Sequence, residues 1–163
     1  MFLEHTVLRP RGVTVNRSKN IGTAVETAVV RHLQNDGWPH AERRQLRGRE
    51  DAGDITGTPG IAWECKGGEA AKNASDGQVL VWLAETQTER IHARADIGVL
   101  VLARRGIGPQ NAGRWWAVLQ SRDVALLLLA DTAIAERAPD RPVRMLLTDA
   151  CAHLKWAGYG TTA

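Results

Sequence analysis

Asp51-Ala52-Gly53-Asp54-Ile55-Thr56-Gly57-Thr58-Pro59-Gly60-Ile61-Ala62-Trp63-Glu64-Cys65-Lys66-Gly67 reads as two short strands joined by a tight turn. The turn is Gly57-Thr58-Pro59-Gly60, where proline restricts its own φ and glycine accepts φ values that other residues resist. Side chains alternate along a strand, so Ile61, Trp63 and Cys65 take one face and Ala62, Glu64 and Lys66 the other. Glu64 and Lys66 then lie about 6.6 Å apart along one face. The turn folds Asp54 back towards Glu64, bringing two carboxylates and one ammonium to one end of a sheet. An Asp, a Glu and a Lys within so short a span are commonly just a solvated strand face. The turn that gathers them and the apolar opposite face argue for a site, and place the strand centrally in its sheet.

Such a grouping has a chemistry. Two carboxylates suit Mg²⁺, which takes oxygen ligands and keeps several waters. The ion acidifies a bound water and offsets charge on a phosphate. A neighbouring lysine can orient or deprotonate that water, or steady the transition state. Against a phosphodiester, the set is a hydrolysis site.

Working outward, residues 19–35 read as a helix capped by Ser18 or Asn20 and ended by Gly37. Its buried stripe is Val25, Val29 and Leu33, widened by Ile21, Ala28 and Val30. Glu26 stands one turn after Gly22 beside that stripe. Trp38 to Leu46 reads as a first strand, followed by a loop from Arg47 to Gly53. Gly67 to Gly77 reads as flexible, and a helix from about Gln78 to Ala95 carries Leu80, Leu83, Gln87 and Ile91. Ile97 to Ala103 is a nearly continuous apolar run, the pattern of a buried strand. A loop from Arg104 to Arg114 precedes a strand from Trp115 to Gln120. Ser121 then caps a helix that buries Val124, Leu127 and Leu128. Val143 to Thr148 is a last strand, and residues 158–163 are a frayed end. The division is a basic arm over 1–18, a central domain over 19–138 and a C-terminal extension over 139–163, packed on that domain or apart from it.

The 163 residues, 44% hydrophobic and 24% charged, are ordinary for one globular domain. The longest apolar run, Val124 to Ala130, falls far short of the roughly 20 residues of a membrane span. The N-terminus lacks a signal-peptide core, and Cys65 and Cys151 have no partner at zinc spacing. A reduced, cytoplasmic setting is the expectation. Charge is uneven: residues 1–50 hold nine Lys/Arg against five acids. That basic excess ahead of a carboxylate site suits an anionic partner, nucleic acid first, or else a solubilising surface.

The order helix, strand, strand, strand, helix, strand, with its acid–acid–x–lysine set, resembles the PD-(D/E)XK nuclease superfamily. Within it, the chain looks like the archaeal-type Holliday junction resolvases and their phage relatives. The residues that carry this are Asn16-Arg17-Ser18-Lys19-Asn20-Ile21-Gly22 leading to Glu26, then Gly53-Asp54, then Trp63-Glu64-Cys65-Lys66, over roughly residues 16–105. The resemblance implies an α/β fold with a restriction-endonuclease-like core, a central mixed sheet flanked by helices. It implies Asp54 as the metal-bridging acid, Glu64 as its partner and the Cys65 backbone carbonyl as a further ligand. Lys66 becomes the catalytic lysine, and Glu26 a support for a metal-bound water or a second ion. Arg17 and Lys19 match phosphate-contacting residues, to which the basic loop adds Arg47 and Arg49; Gln87 is a secondary candidate.

Gly53 replaces the proline of the superfamily's name, and the loop before Asp54 lacks the serine of some resolvases. The expected protein is thus a homodimeric endonuclease dependent on Mg²⁺, with Mn²⁺ able to substitute, that cuts branched DNA in the cytoplasm, or in a host's if phage-encoded. The alternatives are a related nuclease of nicked, flap or other repair DNA, and a DNA-binding protein of the same fold without turnover.

Overall fold

Helix α1 (Arg17–Asn35) turns Val25, Val29 and Leu33 inward at the expected spacing. Gly37 ends it at φ +113°. The computed structural model describes residues 17–45 and 52–161; Arg47 and Arg49, the loop that carries them and the basic arm before residue 17 lie outside. The expected strand 38–46 is represented, among the described residues, by β1 (Glu42–Arg43), paired antiparallel with β2 (Ile55–Thr56). Trp38 is instead a core residue, edge-on to Trp63 at 6.4 Å between ring centres.

The turn forms as expected, with Gly57 at φ +76° and Gly60 at φ +81°. A Cβ on Gly57 would lie 1.8 Å from the His40 carbonyl oxygen, so no other residue fits there. Thr58 Oγ1 accepts the indole N–H of Trp63 at 3.2 Å, tying the turn to β3 (Ile61–Lys66).

A short helix, α2 (Gly68–Lys72), occupies the stretch expected to be flexible. Ser75 then caps α3 (Asp76–His92), accepting from the Gln78 N–H at 3.2 Å. Its inward residues are Val79, Leu83, Thr86 and Glu89, whereas Leu80 and Ile91 are exposed. The expected stripe was out of phase around Leu83. Strand β4 (Ile97–Leu102), buried throughout, follows as expected.

A 3₁₀ turn (Pro109–Arg114) leads into β5 (Trp116–Gln120). Next come α4 (Ser121–Leu129), α5 (Thr132–Arg137), β6 (Pro142–Leu146) and α6 (Leu147–Trp156). Ser121 does not cap α4; its hydroxyl donates to the Arg141 carbonyl, joining α4 to β6. Of the residues expected to be buried there, Leu127 is and Leu128 is exposed.

The sheet runs β3-β4-β5-β6, with β3 parallel to β4 and the other pairs antiparallel. The molecule is therefore an α/β fold, a four-stranded mixed sheet flanked by helices. One face packs Trp63, Val99, Val101, Ala117 and Leu119 against α1 and α6, and the other packs Leu100, Leu102 and Val118 against α3. Strand β3 is an edge of this ladder rather than a central strand, yet it is buried from Ile61 to Cys65. Segment 139–163 supplies β6 and the fully buried Leu147, Cys151 and Leu154, so it belongs to the same core. Both cysteines are free and buried. No described helix is long and apolar enough to cross a membrane.

Candidate active site

The free edge of β3 positions Asp54. Its N–H donates to the Trp63 carbonyl at 2.7 Å, and its own carbonyl accepts the Arg44 N–H at 2.7 Å. Gly53 makes this approach possible at φ +90°, where a Cβ would meet the Trp63 carbonyl oxygen at 2.8 Å. The Asp54 side chain then reaches one residue further along, and its Oδ2 accepts the Cys65 N–H at 2.7 Å. Asp54 is thereby fastened to the residue between Glu64 and Lys66. Backbone polar groups of one strand residue point the same way, so the Cys65 carbonyl also faces this edge.

Glu64 is buried, and Lys66 Nζ lies 2.5 Å from its Oε1. The alternation along β3 thus pairs these two side chains on the α3 side. Two residues that sequence patterning missed complete their surroundings. Glu85 Oε2 stands 3.4 Å from Lys66 Nζ, and the Trp82 ring centre 5.9 Å from it. Trp82 and Glu85 are three apart on α3, hence on one helix face; that spacing is the signal by which the sequence could have shown them. Burial pulls the Lys66 pKa down, but the hydrogen bond and charge of Glu64, joined by Glu85, more than reverse this, leaving it raised.

Glu26 sits at the next rank. Its Oε2 is held by Arg43 Nε at 2.7 Å, and Arg43 also donates to Thr23 Oγ1 at 3.3 Å. Its charge still reaches Asp54. The Asp54 pKa is pushed up to about 7 by burial first and by Glu64 next, against the stabilising Cys65 N–H; Glu26 adds to the rise and Lys66 opposes it. A buried carboxylate beside other carboxylates lacks positive charge. Asp54 takes the Cys65 N–H on Oδ2 and Glu64 meets Lys66 through Oε1, so each carboxylate has a second oxygen with which to meet a cation.

Arg17 and Lys19 have their backbone in the first turn of α1. Gln87 does not join the site. Its Nε2 donates to Asp123 Oδ2 at 3.0 Å and its Oε1 accepts from Arg90 at 2.7 Å, a link between α3 and α4. Asp123 is buried, and burial raises its pKa despite Gln87 and Arg122.

Among the described residues, the one set of three such ligand atoms closing within 4.8 Å is elsewhere: His32, Asp36 and Cys151. There Lys155 Nζ already meets Asp36 Oδ1 at 2.5 Å. Burial depresses the His32 pKa, against the charge of Asp36, and raises the Cys151 thiol. No family model, curated protein or solved structure matches this chain.

Proposed function

We propose that this protein is a metal-dependent DNA endonuclease with a restriction-endonuclease-like core. One observation carries the reading: the Asp54 carboxylate is fastened to the Cys65 N–H, between buried Glu64 and Lys66. Asp54, Glu64 and the Cys65 carbonyl are the groups that would hold Mg²⁺ or Mn²⁺. Two carboxylates with the remaining sites left to water suit Mg²⁺, and the charge crowding at Asp54 fits a cation there. When bound, the ion would acidify a water and offset charge on the phosphoryl group.

The chain's own residues do the rest. Asp54, whose pKa burial and Glu64 push up to about 7, gives up its proton more readily when positive charge joins it. Lys66, shared between Glu64 and Glu85, holds an ammonium in reach of the same edge to orient the attacking water or a phosphate oxygen. Arg43 restrains Glu26, keeping a further carboxylate close for a water-mediated contact. Hydrolysis then follows in-line attack of water on phosphorus, with the 3′ or 5′ oxygen leaving.

The finer reading is a homodimer that resolves four-way junctions, since two strands cut symmetrically suit a two-fold assembly. Leu128, Leu129 and Trp156 are exposed apolar side chains that such an interface would cover, whereas Trp115 is buried in the monomer core. Incubation with four-way junction, flap and linear duplex DNA, with and without Mg²⁺, tests the proposal. Metal-dependent cutting supports it, and a preference for junctions supports the finer reading. Tight DNA binding without cutting in any divalent metal would instead favour a binding protein of this fold.

A further inference from the structure

The row of paired residues Lys66, Leu102 and Trp116 crosses β3, β4 and β5. Directly opposed residues share a face, and strands lie about 4.8 Å apart, so Trp116 stands about 10 Å from Lys66 on the same face. Two arginines converge on its ring, Arg104 at 4.2 Å and Arg144 at 5.8 Å from the centre. Arg104 leaves the sheet just past Ala103, whose N–H donates to the Lys66 carbonyl. Arg144 comes from β6, opposite Val118.

Their charges are unbalanced. Glu69 takes Lys72 at 3.3 Å and Arg105 at 3.1 Å. Among the described residues, neither Arg104 nor Arg144 has an acid at ion-pairing distance, and Arg104 donates only a 3.4 Å bond to the Arg114 carbonyl. Like charges held on one ring without a counter-ion repel, and an anion between them relieves that repulsion. Stacking on tryptophan holds a guanidinium flat and leaves its N–H groups directed outward, the arrangement that suits phosphate.

A cleft of about 260 Å³ runs past Lys72, Arg104, Arg105, Trp116 and Arg144. A second, of about 750 Å³, shares Lys72 and Arg104 and continues past Gly68 to Ile21 and Val25 on α1. The two clefts meet at Lys72 and Arg104, beside the segment that follows Lys66.

Resting on the nuclease reading for its choice of ligand, we propose that Arg104 and Arg144, braced on Trp116 with Lys72 and Arg105 beside them, grip the phosphodiester backbone of DNA entering the active site. The distance of about 10 Å corresponds to roughly three nucleotides at 3.4 Å per strand. The scissile phosphate lies at Asp54 and Glu64 while a phosphate a few nucleotides away lies on the arginines.

The test is DNA binding by the full chain carrying Asp54→Asn, which keeps the DNA intact. Fluorescence anisotropy with a labelled linear duplex, over a salt series, compares that protein with versions adding Arg104→Gln/Arg144→Gln, Arg104→Lys/Arg144→Lys, or Arg31→Gln/Arg137→Gln as a distant control. The glutamine pair is expected to weaken binding and lower the log–log salt slope by about 0.9 per lost contact, with the lysine pair keeping most of the slope. Near-UV circular dichroism shows whether the glutamine pair is folded, and the lysine pair provides a second readout. An unchanged slope in the folded glutamine pair, an equal loss in the control, absence of DNA binding, or tighter binding to RNA of the same length would each overturn the proposal. Cleavage by the wild type with Mg²⁺ is scored separately. Cutting with an unchanged slope rejects the arginine grip alone, whereas a lowered slope without cutting rejects the nuclease reading alone.

Discussion

Helix α1 meets one charged cluster at its C-terminal end and another at its midpoint, and the two behave differently. Near its C-terminal end, Asp36 meets Lys155 at 2.5 Å beside His32 and Cys151. One anion has one cation, and burial depresses the His32 pKa. About 15 Å back along the helix, Glu26 faces the other cluster, where Asp54, Glu64, Glu26 and Glu85 share Lys66 and Arg43. The first set closes more tightly around a point and carries the more familiar ligand types. The second has the anion excess. Charge balance, rather than the count of ligand atoms, is what would separate an internal brace from the proposed cation site.

The largest way to break this contrast is to neutralise one carboxylate in each cluster. Asp54→Asn or Glu64→Gln is expected to lower Mg²⁺-dependent cleavage on the order of 10³-fold, the scale of losing one transition-state stabiliser, while DNA binding persists. Asp36→Asn is expected to leave cleavage rates unchanged. Single-turnover assays on labelled DNA measure all three, and wild-type cutting by either site variant would end the assignment.

Lys66→Ala comes next, with an expected loss of roughly 10²-fold in cleavage and retained metal binding. Because Glu64 is buried beside it, thermal melting should also show a lower midpoint, since removing one partner strands the other charge. Full turnover in this variant would reduce Lys66 to a surface residue.

The third comparison is one of pH and metal. Asp54 is an acid whose pKa is raised in the folded state, to about 7. Between its ordinary value and that point the folded protein holds the extra proton, so stability falls as pH rises through this window. Asp54→Asn should therefore melt higher than wild type at pH 8, with the difference vanishing towards pH 4. Mg²⁺ should raise the wild-type midpoint, most at pH 8 where the carboxylate is free to bind. At a hundredfold excess over Kd, the gain is about 2.7 kcal/mol. Calorimetry that finds no Mg²⁺ effect, or the same effect in Asp54→Asn, would place the cation elsewhere.

The smallest effect sharpens the Asp36 cluster. Lys155→Ala removes a partly exposed pair and is expected to cost about 1 kcal/mol, read from urea unfolding, with Mg²⁺ stabilisation of the folded protein intact.

The legible part of the site was local. Asp54, Glu64 and Lys66 lie within a dozen residues, and a period of two with one glycine-bounded turn suffices to bring them together. Glu26 was legible as a residue but not in its setting, because Arg43 arrives from another element. Gln87 was misassigned for a related reason. Its chemistry suited the site, but the rotation of α3 points it at Asp123 on α4. The same rotation exposes Leu80 and buries Val79. An apolar pattern with candidates at adjacent positions leaves helical phase open by about 100° per residue, and only packing on β4 closes it. Helices α2 and α6 escaped notice because short helices draw their stability from tertiary contacts rather than propensity.

By itself, then, the sequence determined the alternation of β3, the glycine turn that returns Asp54 to it, and the buried run of β4, since each rests on backbone geometry over neighbouring residues. The tertiary structure alone decided that β3 lies at the sheet edge with Asp54 bound along it. It also brought Glu85 and Trp82 to Lys66, and set Arg104 and Arg144 on Trp116. Those contacts join residues from separate elements. Their distances depend on how helices and strands pack, which no local period encodes.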